Sequence, residues 1–334
     1  MSLENIIMFI ILILINTFFY FINYKLAEIF KLVDIPDKVR KIHTFNVPLT
    51  GGIFLFLNIL IIFCLENYFT LTNNLILDMN LFLFIIIIFI FGIIDDKFGI
   101  KANLKLSLSI ALFFFFLYLN DNFVLKTIII SSGHKYDLGI FSLPFTVFCL
   151  VIFQNAFNMY DGINLQNILF FIFLIFIIYI FFGFIDFYIY LIPSLILLLY
   201  LNSKNKMFLG DSGSYILSFL ISIFLIYIFN NTTINIPSDF VFLCLCIPGY
   251  DLLRLAIHRI FNKKHPFKAD KNHIHHMMIK KIGYLKTIIY LNFLCFIPIL
   301  FSLFSNKNFY AVFISLIVYI ITIAYFKNDK ISEN

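Results

Sequence analysis

Residues 81–94 read LFLFIIIIFIFGII, an unbroken apolar run, and two aspartates, Asp95 and Asp96, follow it directly. The hydrocarbon core of a bilayer is about 30 Å thick, and an α-helix needs about 20 mostly apolar residues to cross it. With its flanks the run extends over 76–94, which is long enough to span a membrane. The two carboxylates then stand where the hydrocarbon ends.

The composition of the whole chain agrees with this interpretation. Of its 334 residues, 62% are hydrophobic and only 13% are charged, and the mean hydropathy is +1.00. Soluble domains carry about 25% charged residues, so a soluble globular protein is excluded. We expect an all-α, polytopic integral membrane protein that forms a single transmembrane domain over residues 1–334.

Apolar stretches of spanning length recur along the chain, and we predict about 11 transmembrane helices. Pro248-Gly249 in the ninth stretch predicts a helix broken or bent at that point, because proline cannot donate a backbone hydrogen bond. The predicted spans are 5–24, 47–65, 76–94, 103–119, 141–159, 165–184, 185–201, 214–230, 238–257, 285–304 and 309–326.

The basic residues are distributed unevenly between the connections. All of the 24 Lys and Arg except Lys126, Lys135 and Lys307 fall in or beside the connections that follow odd-numbered spans, or in the C-terminal tail. Cytoplasmic loops carry the excess of Lys and Arg. The odd connections and the C-terminus are therefore predicted to be cytoplasmic, and the N-terminus to lie outside.

The remaining five polar stretches belong to this predicted cytoplasmic face, and their convergence favours a functional site there. The midspan segments are nearly free of charge, which argues against the alternative of a membrane transporter, whose substrate sites lie near the bilayer midplane. The polar stretches are 34–52, 95–96, 155–164, 208–214 and 258–276.

Carboxylates at span ends suit a hard cation, because Mg²⁺ takes oxygen ligands from one or two carboxylates and from phosphates. Asp211 lies in a Gly-Asp-Ser-Gly-Ser turn that precedes a span, where a helix N-terminus favours anions. Asn158 and Asp161 are one helical turn apart and share a face. Two simpler readings stay open: Asp95 and Asp96 in an exposed turn beside lysines, and Asp211 as a helix N-cap.

The segment 258–284 is the longest predicted cytoplasmic loop and contains Arg259, His273, His275 and His276 with several lysines. Arginine and histidine donate hydrogen bonds to phosphate and sugar oxygens. Zinc binding is disfavoured because no cysteine is near. A loop lying on anionic lipid headgroups would explain the lysines but not the histidines. These residues predict a phosphate-handling site beside a bilayer.

The ordered motifs over 34–276 resemble the polyprenyl-phosphate N-acetylhexosamine-1-phosphate transferases, glycosyl transferase family 4. The branch that transfers GlcNAc-1-phosphate is the most similar, because its histidine motif also contains an isoleucine. The matching motifs are Asp34-x-Pro36-x-x-x-Arg40-Lys41-x-His43, Pro48-x-x-Gly51-Gly52, Gly92-x-x-Asp95-Asp96 with Lys105, Asn155-x-x-Asn158-x-x-Asp161-Gly162, Phe208-x-Gly210-Asp211-x-Gly213-Ser214 and Pro266-Phe267-x-x-Asp270-x-x-His273-x-His275-His276.

The resemblance implies a role for each matching residue. It assigns Asp95, Asp96 and Asp161 to catalysis, with Asp95 at the attacking lipid phosphate and Asp161 in the nucleotide site. It assigns Asn158, Asp211 and Asp96 to a Mg²⁺ ion, for which Mn²⁺ could substitute. Phe208 would stack on uracil, phosphate charge would be held by Lys41, Lys105 and Arg259, and the sugar diphosphate would be covered by His273, His275 and His276.

Three departures from the family pattern concern the same motifs. Asn164 is followed directly by Leu165, so a carboxylate and a glycine of the usual family pattern are missing, and the resemblance says less about sugar specificity and rate. Ser109 stands where a glutamine is usual. The stretch before Phe208 is one residue shorter than is typical.

The resemblance therefore implies an enzyme that transfers HexNAc-1-phosphate from a UDP-sugar, such as UDP-N-acetylglucosamine, to undecaprenyl phosphate, releasing UMP and initiating a cell-envelope polysaccharide such as O-antigen. The enzyme alternative is phospho-N-acetylmuramoyl-pentapeptide transferase of peptidoglycan synthesis. The implied location is the bacterial cytoplasmic (inner) membrane, with the active site on its cytoplasmic face. The implied partners are the two substrates and the bilayer, without nucleic acid; a homodimer stays open.

Overall fold

The computed structural model describes residues 3–36, 45–69, 78–182, 186–230, 236–263 and 272–327, and most of them are α-helical. The chain is rich in isoleucine and phenylalanine, which favour strands in water. A lipid-exposed strand would leave backbone N–H and C=O groups without partners, whereas a helix pairs them internally. The lipid environment therefore favours helices over strands in these segments.

Twelve α-helices are described, and all but the tenth overlap one of the predicted spans. Eight helices are long and apolar enough to cross a membrane, and two further apolar helices are shorter. An all-α, polytopic membrane protein is confirmed, while the number of crossings stays a prediction. The helices are α1 (Leu3–Phe30), α2 (Gly51–Phe69), α3 (Met79–Phe98), α4 (Ala102–Leu119), α5 (Ser142–Tyr160), α6 (Gln166–Phe182), α7 (Asp186–Ser203), α8 (Gly210–Asn230), α9 (Ser238–Phe261), α10 (Ile274–Ile282), α11 (Tyr284–Ser305) and α12 (Asn308–Lys327).

The predicted break in the ninth helix is wrong. Helix α9 runs without interruption through Pro248 and Gly249. Proline removes only its own N–H, and packed neighbours can hold such a helix in a membrane. Pro248 is buried, and α9 packs against α5, α11 and α12. These contacts hold the two halves of the helix together.

Two short strand pairs occur among the described residues. Strand β1 (Val33–Asp34) pairs antiparallel with β2 (Val47–Pro48), so that Val33 lies opposite Pro48. Strands β3 (Thr127–Ile129) and β4 (Lys135–Asp137) form a hairpin. The hairpin is attached to the start of α9, where the Ser238 hydroxyl accepts the backbone N–H of Ile129 at 3.0 Å.

The chain forms two compact units. The first comprises Met1–Ile100 and Asn167–Leu220, and in it α7 packs against α1 and α2. The second comprises Lys101–Gln166 and Ile221–Asn334, and in it α9 packs against α5, α11 and α12. The first unit contains the turn that begins at Gly210, and the second contains the histidine segment.

Candidate active site

Phe208 in the first unit is held by its backbone on both sides. Its N–H donates to the Pro48 carbonyl at 2.8 Å, and its carbonyl accepts the N–H of Gly51 at 3.0 Å. A Cβ on Gly51 would lie 2.7 Å from that same carbonyl oxygen, so the close pairing requires glycine. The segment after β2 therefore fixes the approach to the Gly210-Asp211 turn. The side chain of Phe208 is half-buried.

Two more glycines bring their helices into contact with Ser212, which is buried. A Cβ on Gly52 would overlap the Ser212 hydroxyl, and one on Gly92 would lie 2.8 Å from the Ser212 backbone nitrogen. Both glycines belong to helices, α2 and α3, that could not approach so closely with larger residues. Three sequence motifs, 48–52, 92–96 and 208–214, thus meet at one turn.

The carboxylate of Asp96 caps this turn. Its Oδ1 accepts the N–H of Asp211 at 2.7 Å, and its Oδ2 accepts the N–H and the hydroxyl of Ser212 at 3.0 and 2.6 Å. A negative charge is favourable at a helix N-terminus. Gly210 has φ of 74°, in the left-handed region that favours glycine. A Cβ at that position would also lie 2.8 Å from Asp96 Oδ2.

The surroundings of Asp96 and Asp211 suit a divalent cation. Asp96 lies beyond the predicted span 76–94; its burial, and then the charge of Asp211, raise the pKa of its carboxyl to about 7. Two such carboxylates resist ionising together unless a cation neutralises them. Asp211 is half-buried and accessible as a ligand. Within the described residues no group of three or more His, Cys, Asp or Glu is arranged to hold a metal. A Mg²⁺ ion that takes most of its ligands from phosphates and water needs no such group.

Asp95 is held differently from its neighbour. It is only 4% exposed, and its Oδ2 accepts the Tyr215 hydroxyl at 2.7 Å while its Oδ1 accepts the Ile100 N–H at 3.0 Å. These bonds fix the carboxylate at the end of α3. That Asp95 contacts the attacking phosphate stays a prediction.

Asn158 and Asp161 lie at the end of α5 in the second unit, and both are half-buried. The Asp161 N–H donates to the carbonyls of Phe157 and Asn158 at 3.2 and 3.3 Å, which ends the helix. The predicted common ion for Asn158 and Asp211 would join residues of different units and stays a prediction.

The departure at Asn164–Leu165 has a structural counterpart. Leu165 adopts φ of 73°, the left-handed conformation that a glycine would take more easily. The Asn164 carbonyl accepts the Tyr284 hydroxyl at 2.9 Å, which joins this loop to the start of α11. The chain thus makes the turn without the usual glycine.

The histidine segment begins helix α10, with His273 directly before it. His275 is 1% exposed and lies beneath the Asp161-Gly162 motif, since a Cβ on Gly162 would overlap the imidazole ring. Neither ring nitrogen of His275 has a hydrogen-bond partner within the described part of the chain. Burial, and then the neighbouring imidazoles of His276 and His273, lower the pKa of His275 well below its usual range. His275 is therefore neutral at pH 7.

The remaining predicted phosphate-binding residues differ in burial, and one of them lies outside the described residues. Arg259 is 2% exposed near the end of α9, and Lys105 is half-buried in α4. Lys41 lies outside the described residues, as do Arg40, His43, Pro266, Phe267 and Asp270 of the matching motifs.

One group of residues was missed by the sequence analysis. Asp251 of α9 accepts hydrogen bonds from Arg254 and from Tyr319 of α12, and it contacts His273. The sequence contained a signal for this group, because Asp251 and Arg254 lie within the predicted span 238–257. Ionisable residues within a span are rare and often functional.

Comparison with known proteins agrees with the motifs. The family model described as glycosyl transferase family 4 matches residues 79–229. The chain is similar to glycosyl transferase family 4 over these residues. The matched range includes the family 4 motifs around Asp95, Asp161 and Asp211.

Curated proteins named undecaprenyl-phosphate alpha-N-acetylglucosaminyl 1-phosphate transferase are similar to this chain. That of Thermotoga maritima is 28% identical over 296 residues, covering 86% of each chain. That of Escherichia coli K12 is 26% identical over 278 residues, covering 80% of this chain and 74% of the relative. That of Yersinia pestis is 27% identical over 279 residues, covering 78% and 73%.

Proposed function

We propose that the protein transfers an N-acetylhexosamine 1-phosphate, preferentially GlcNAc-1-phosphate, from its UDP-sugar to undecaprenyl phosphate. An oxygen of the lipid phosphate bonds to the phosphorus that carries the sugar, the bond from that phosphorus to the bridging oxygen breaks, and UMP leaves. The names of the similar proteins support this reaction. The observation that carries the proposal is the meeting of three motifs at the Asp96-capped turn that presents Asp211.

The charge of the substrates defines what the site must do. Both bring phosphate groups, so the main barrier is electrostatic, and charge neutralisation and positioning lower it. Asp211 would hold Mg²⁺ beside the diphosphate, and Asn158 is the other proposed ligand. A bound Mg²⁺ would neutralise the charge that develops on the departing UMP.

The residues of the chain would position the reactants. Phe208 would stack on the uracil ring, and its backbone bonds to Pro48 and Gly51 fix where it stands. A phosphate monoester has a second pKa near 6 and is mostly dianionic at pH 7. Asp95 would therefore orient the lipid phosphate rather than remove a proton from it.

The proposed location is the bacterial inner membrane, with the active site on the cytoplasmic face. The distribution of lysine and arginine supports this orientation. A UDP-sugar made in the cytoplasm would then reach the site without crossing the bilayer, while the lipid substrate would arrive within it.

Release of UMP by the purified full chain tests this function. The chain in detergent micelles is incubated with Mg²⁺, undecaprenyl phosphate and one of UDP-GlcNAc, UDP-GalNAc, UDP-glucose or UDP-MurNAc-pentapeptide. We expect UMP release with an N-acetylated sugar that requires the lipid phosphate, and none from an Asp211→Ala variant. UMP release from UDP-MurNAc-pentapeptide, and from none of the other three donors, would assign the protein to peptidoglycan synthesis. No release with any donor would refute the proposal.

A further inference from the structure

Asp251 is a buried carboxylate with an unusually complete set of partners. It is 4% exposed, and its Oδ1 accepts Nη2 of Arg254 at 2.7 Å and the Tyr319 hydroxyl at 2.9 Å. Its Oδ2 lies 3.0 Å from Nδ1 of His273. A buried charge is very costly unless it is paired and hydrogen-bonded. A network that meets this cost inside an apolar helix suggests a functional role.

Arg254 connects the same carboxylate to the backbone beside the histidine. Its Nη2 also donates to the carbonyl of Asn272 at 2.6 Å, and its Nε donates to the Tyr319 hydroxyl at 3.0 Å. The network therefore holds His273 twice, through its ring by Asp251 and through the preceding peptide by Arg254. Both anchors are in the second unit, on α9.

We propose that Asp251 is the positioning residue of His273, fixing the Nδ1 proton and the ring orientation so that Nε2 is directed to an oxygen of the sugar diphosphate. The proposal rests on the proposed function for the identity of the ligand. Asp251 itself touches no reacting atom in this scheme. It acts through the histidine.

Imidazole chemistry explains why a carboxylate suits this role. The hydrogen bond at one ring nitrogen decides which tautomer is present and what the other nitrogen offers. When Nε2 also donates to a phosphate oxygen, the ring is doubly protonated and the carboxylate balances its charge. The other groups near the His273 ring are the imidazoles of His275, stacked at 5.3 Å between ring centroids, and of His276 at 6.4 Å. Arg254 and Tyr319 also lie in this network. Of these described neighbours of the ring, Asp251 is the one that carries a negative charge.

A purely structural role would make a different prediction. If Asp251 only joined α9 to α12, loss of the Tyr319 hydroxyl would be as damaging as loss of the carboxylate charge. Tyr319→Phe removes a bond to Oδ1 and leaves the Oδ2 contact with His273 in place. Tyr290→Phe is a matched control, because it removes a hydroxyl contact to Thr322 of α12 at 2.9 Å that does not involve Asp251.

The first measurement is ¹⁵N NMR of the full chain in detergent with labelled histidine, which distinguishes a protonated ring nitrogen from a bare one. The His273 signal is identified by its loss in His273→Gln. We expect Nδ1 of His273 to carry the proton in the wild type and in Tyr319→Phe. In Asp251→Asn the Nδ1 proton should be partly lost. A wild-type His273 without a proton on Nδ1 would overturn the proposal, even if Asp251→Asn and Tyr319→Phe failed to fold, because the assignment needs only His273→Gln.

The second measurement is the initial rate of UMP release across a UDP-GlcNAc titration. A hydrogen bond to a charged group is worth enough that Asp251→Asn should lower kcat/KM roughly ten- to hundredfold, while Tyr290→Phe keeps the wild-type value. An equal loss in Tyr319→Phe, with the His273 signal unchanged, would make the role structural and reject the proposal. A wild type without transferase activity would refute the proposed function alone, because the NMR result does not depend on it.

Discussion

Ser212 donates both its backbone N–H and its hydroxyl to one carboxylate oxygen of Asp96, at 3.0 and 2.6 Å. A single residue thus joins the end of α3 to the start of α8. The neighbouring Asp211 is then presented in a fixed direction, because its own N–H donates to the other oxygen of Asp96 at 2.7 Å. The first two predictions concern this turn and the aspartates beside it.

Gly92→Ala should destabilise the protein, whereas Gly249→Ala should not. A Cβ on Gly92 would lie 2.8 Å from the Ser212 backbone nitrogen, but one on Gly249 meets nothing within 4 Å. Overpacking costs about 1–3 kcal/mol or more, while alanine is better than glycine in a helix by about 1 kcal/mol. Thermal unfolding in detergent at one scan rate compares the two. Equal Tm values would show that α3 and α8 do not pack this closely.

Asp211→Asn and Asp95→Asn should differ in their response to Mg²⁺. Loss of the Asp211 charge would lower the occupancy of the proposed Mg²⁺ ion, so activity should collapse and return in part at high Mg²⁺. Asp95 is bonded to Tyr215 and Ile100, and its variant should lose kcat without recovery. Initial rates over a Mg²⁺ titration, with folding checked by gel filtration, give the comparison. Equal recovery would make Asp95 another metal ligand.

Phe208→Ala should weaken use of the UDP-sugar. Its backbone bonds to Pro48 and Gly51 do not depend on the side chain, so the substitution isolates the aromatic ring. Stacking on a base is worth about 1–3 kcal/mol, which should raise KM for the UDP-sugar and leave that for undecaprenyl phosphate unchanged. Phe208→Tyr, which keeps a stacking ring, is the control. An unchanged KM in the alanine variant would place uracil elsewhere.

The proposed orientation in the membrane predicts where fused reporter proteins are active. A fluorescent protein that folds only in the cytoplasm should be bright when fused to the C-terminus. Alkaline phosphatase, which is active only outside the cytoplasm, should be active when fused within the hairpin of β3 and β4. The reverse pattern would move the polar motifs to the outer face and reject the proposed site.

His275 should make the stability of the protein sensitive to acid. Its pKa is lowered in the folded protein, so below about pH 6.5 the unfolded chain binds a proton that the folded one does not. The lost stability should reach about 1.4 kcal/mol near pH 5.5 and vanish above pH 7. His275→Phe removes this titration. Unfolding curves at pH 7.5 and 5.5 should show a smaller loss in the variant; an identical loss would mean that His275 is accessible to protons.

The helices could be predicted because lipid leaves the backbone little choice. The predicted span 103–119 became Ala102–Leu119, and 141–159 became Ser142–Tyr160. The α10 helix was not predicted within the loop 258–284. A helix this short is marginal alone, and it forms where it packs against α11 and α12. The continuity of α9 through Pro248 likewise depends on neighbouring helices, which a local pattern does not reveal.

The site residues that lie in short local motifs could be predicted from the sequence. Asp96 and Asp211 were identified from their positions at span ends, and the structure brings them together. The contact of Asp251 with His273 was not predicted. Hydropathy is averaged over a window of residues, so one carboxylate in an apolar segment changes the average little. Its third partner, Tyr319, is 68 residues from it along the chain. Only the tertiary fold relates them.

The packing of Gly92 against Ser212 also limits how this protein can evolve. Its close contacts there include main-chain atoms of Ser212, which every amino acid possesses. No replacement of the serine side chain could therefore make room for a larger residue at position 92. A lineage that accepted alanine there would have to shift an entire helix, and no single compensating mutation would restore the fit.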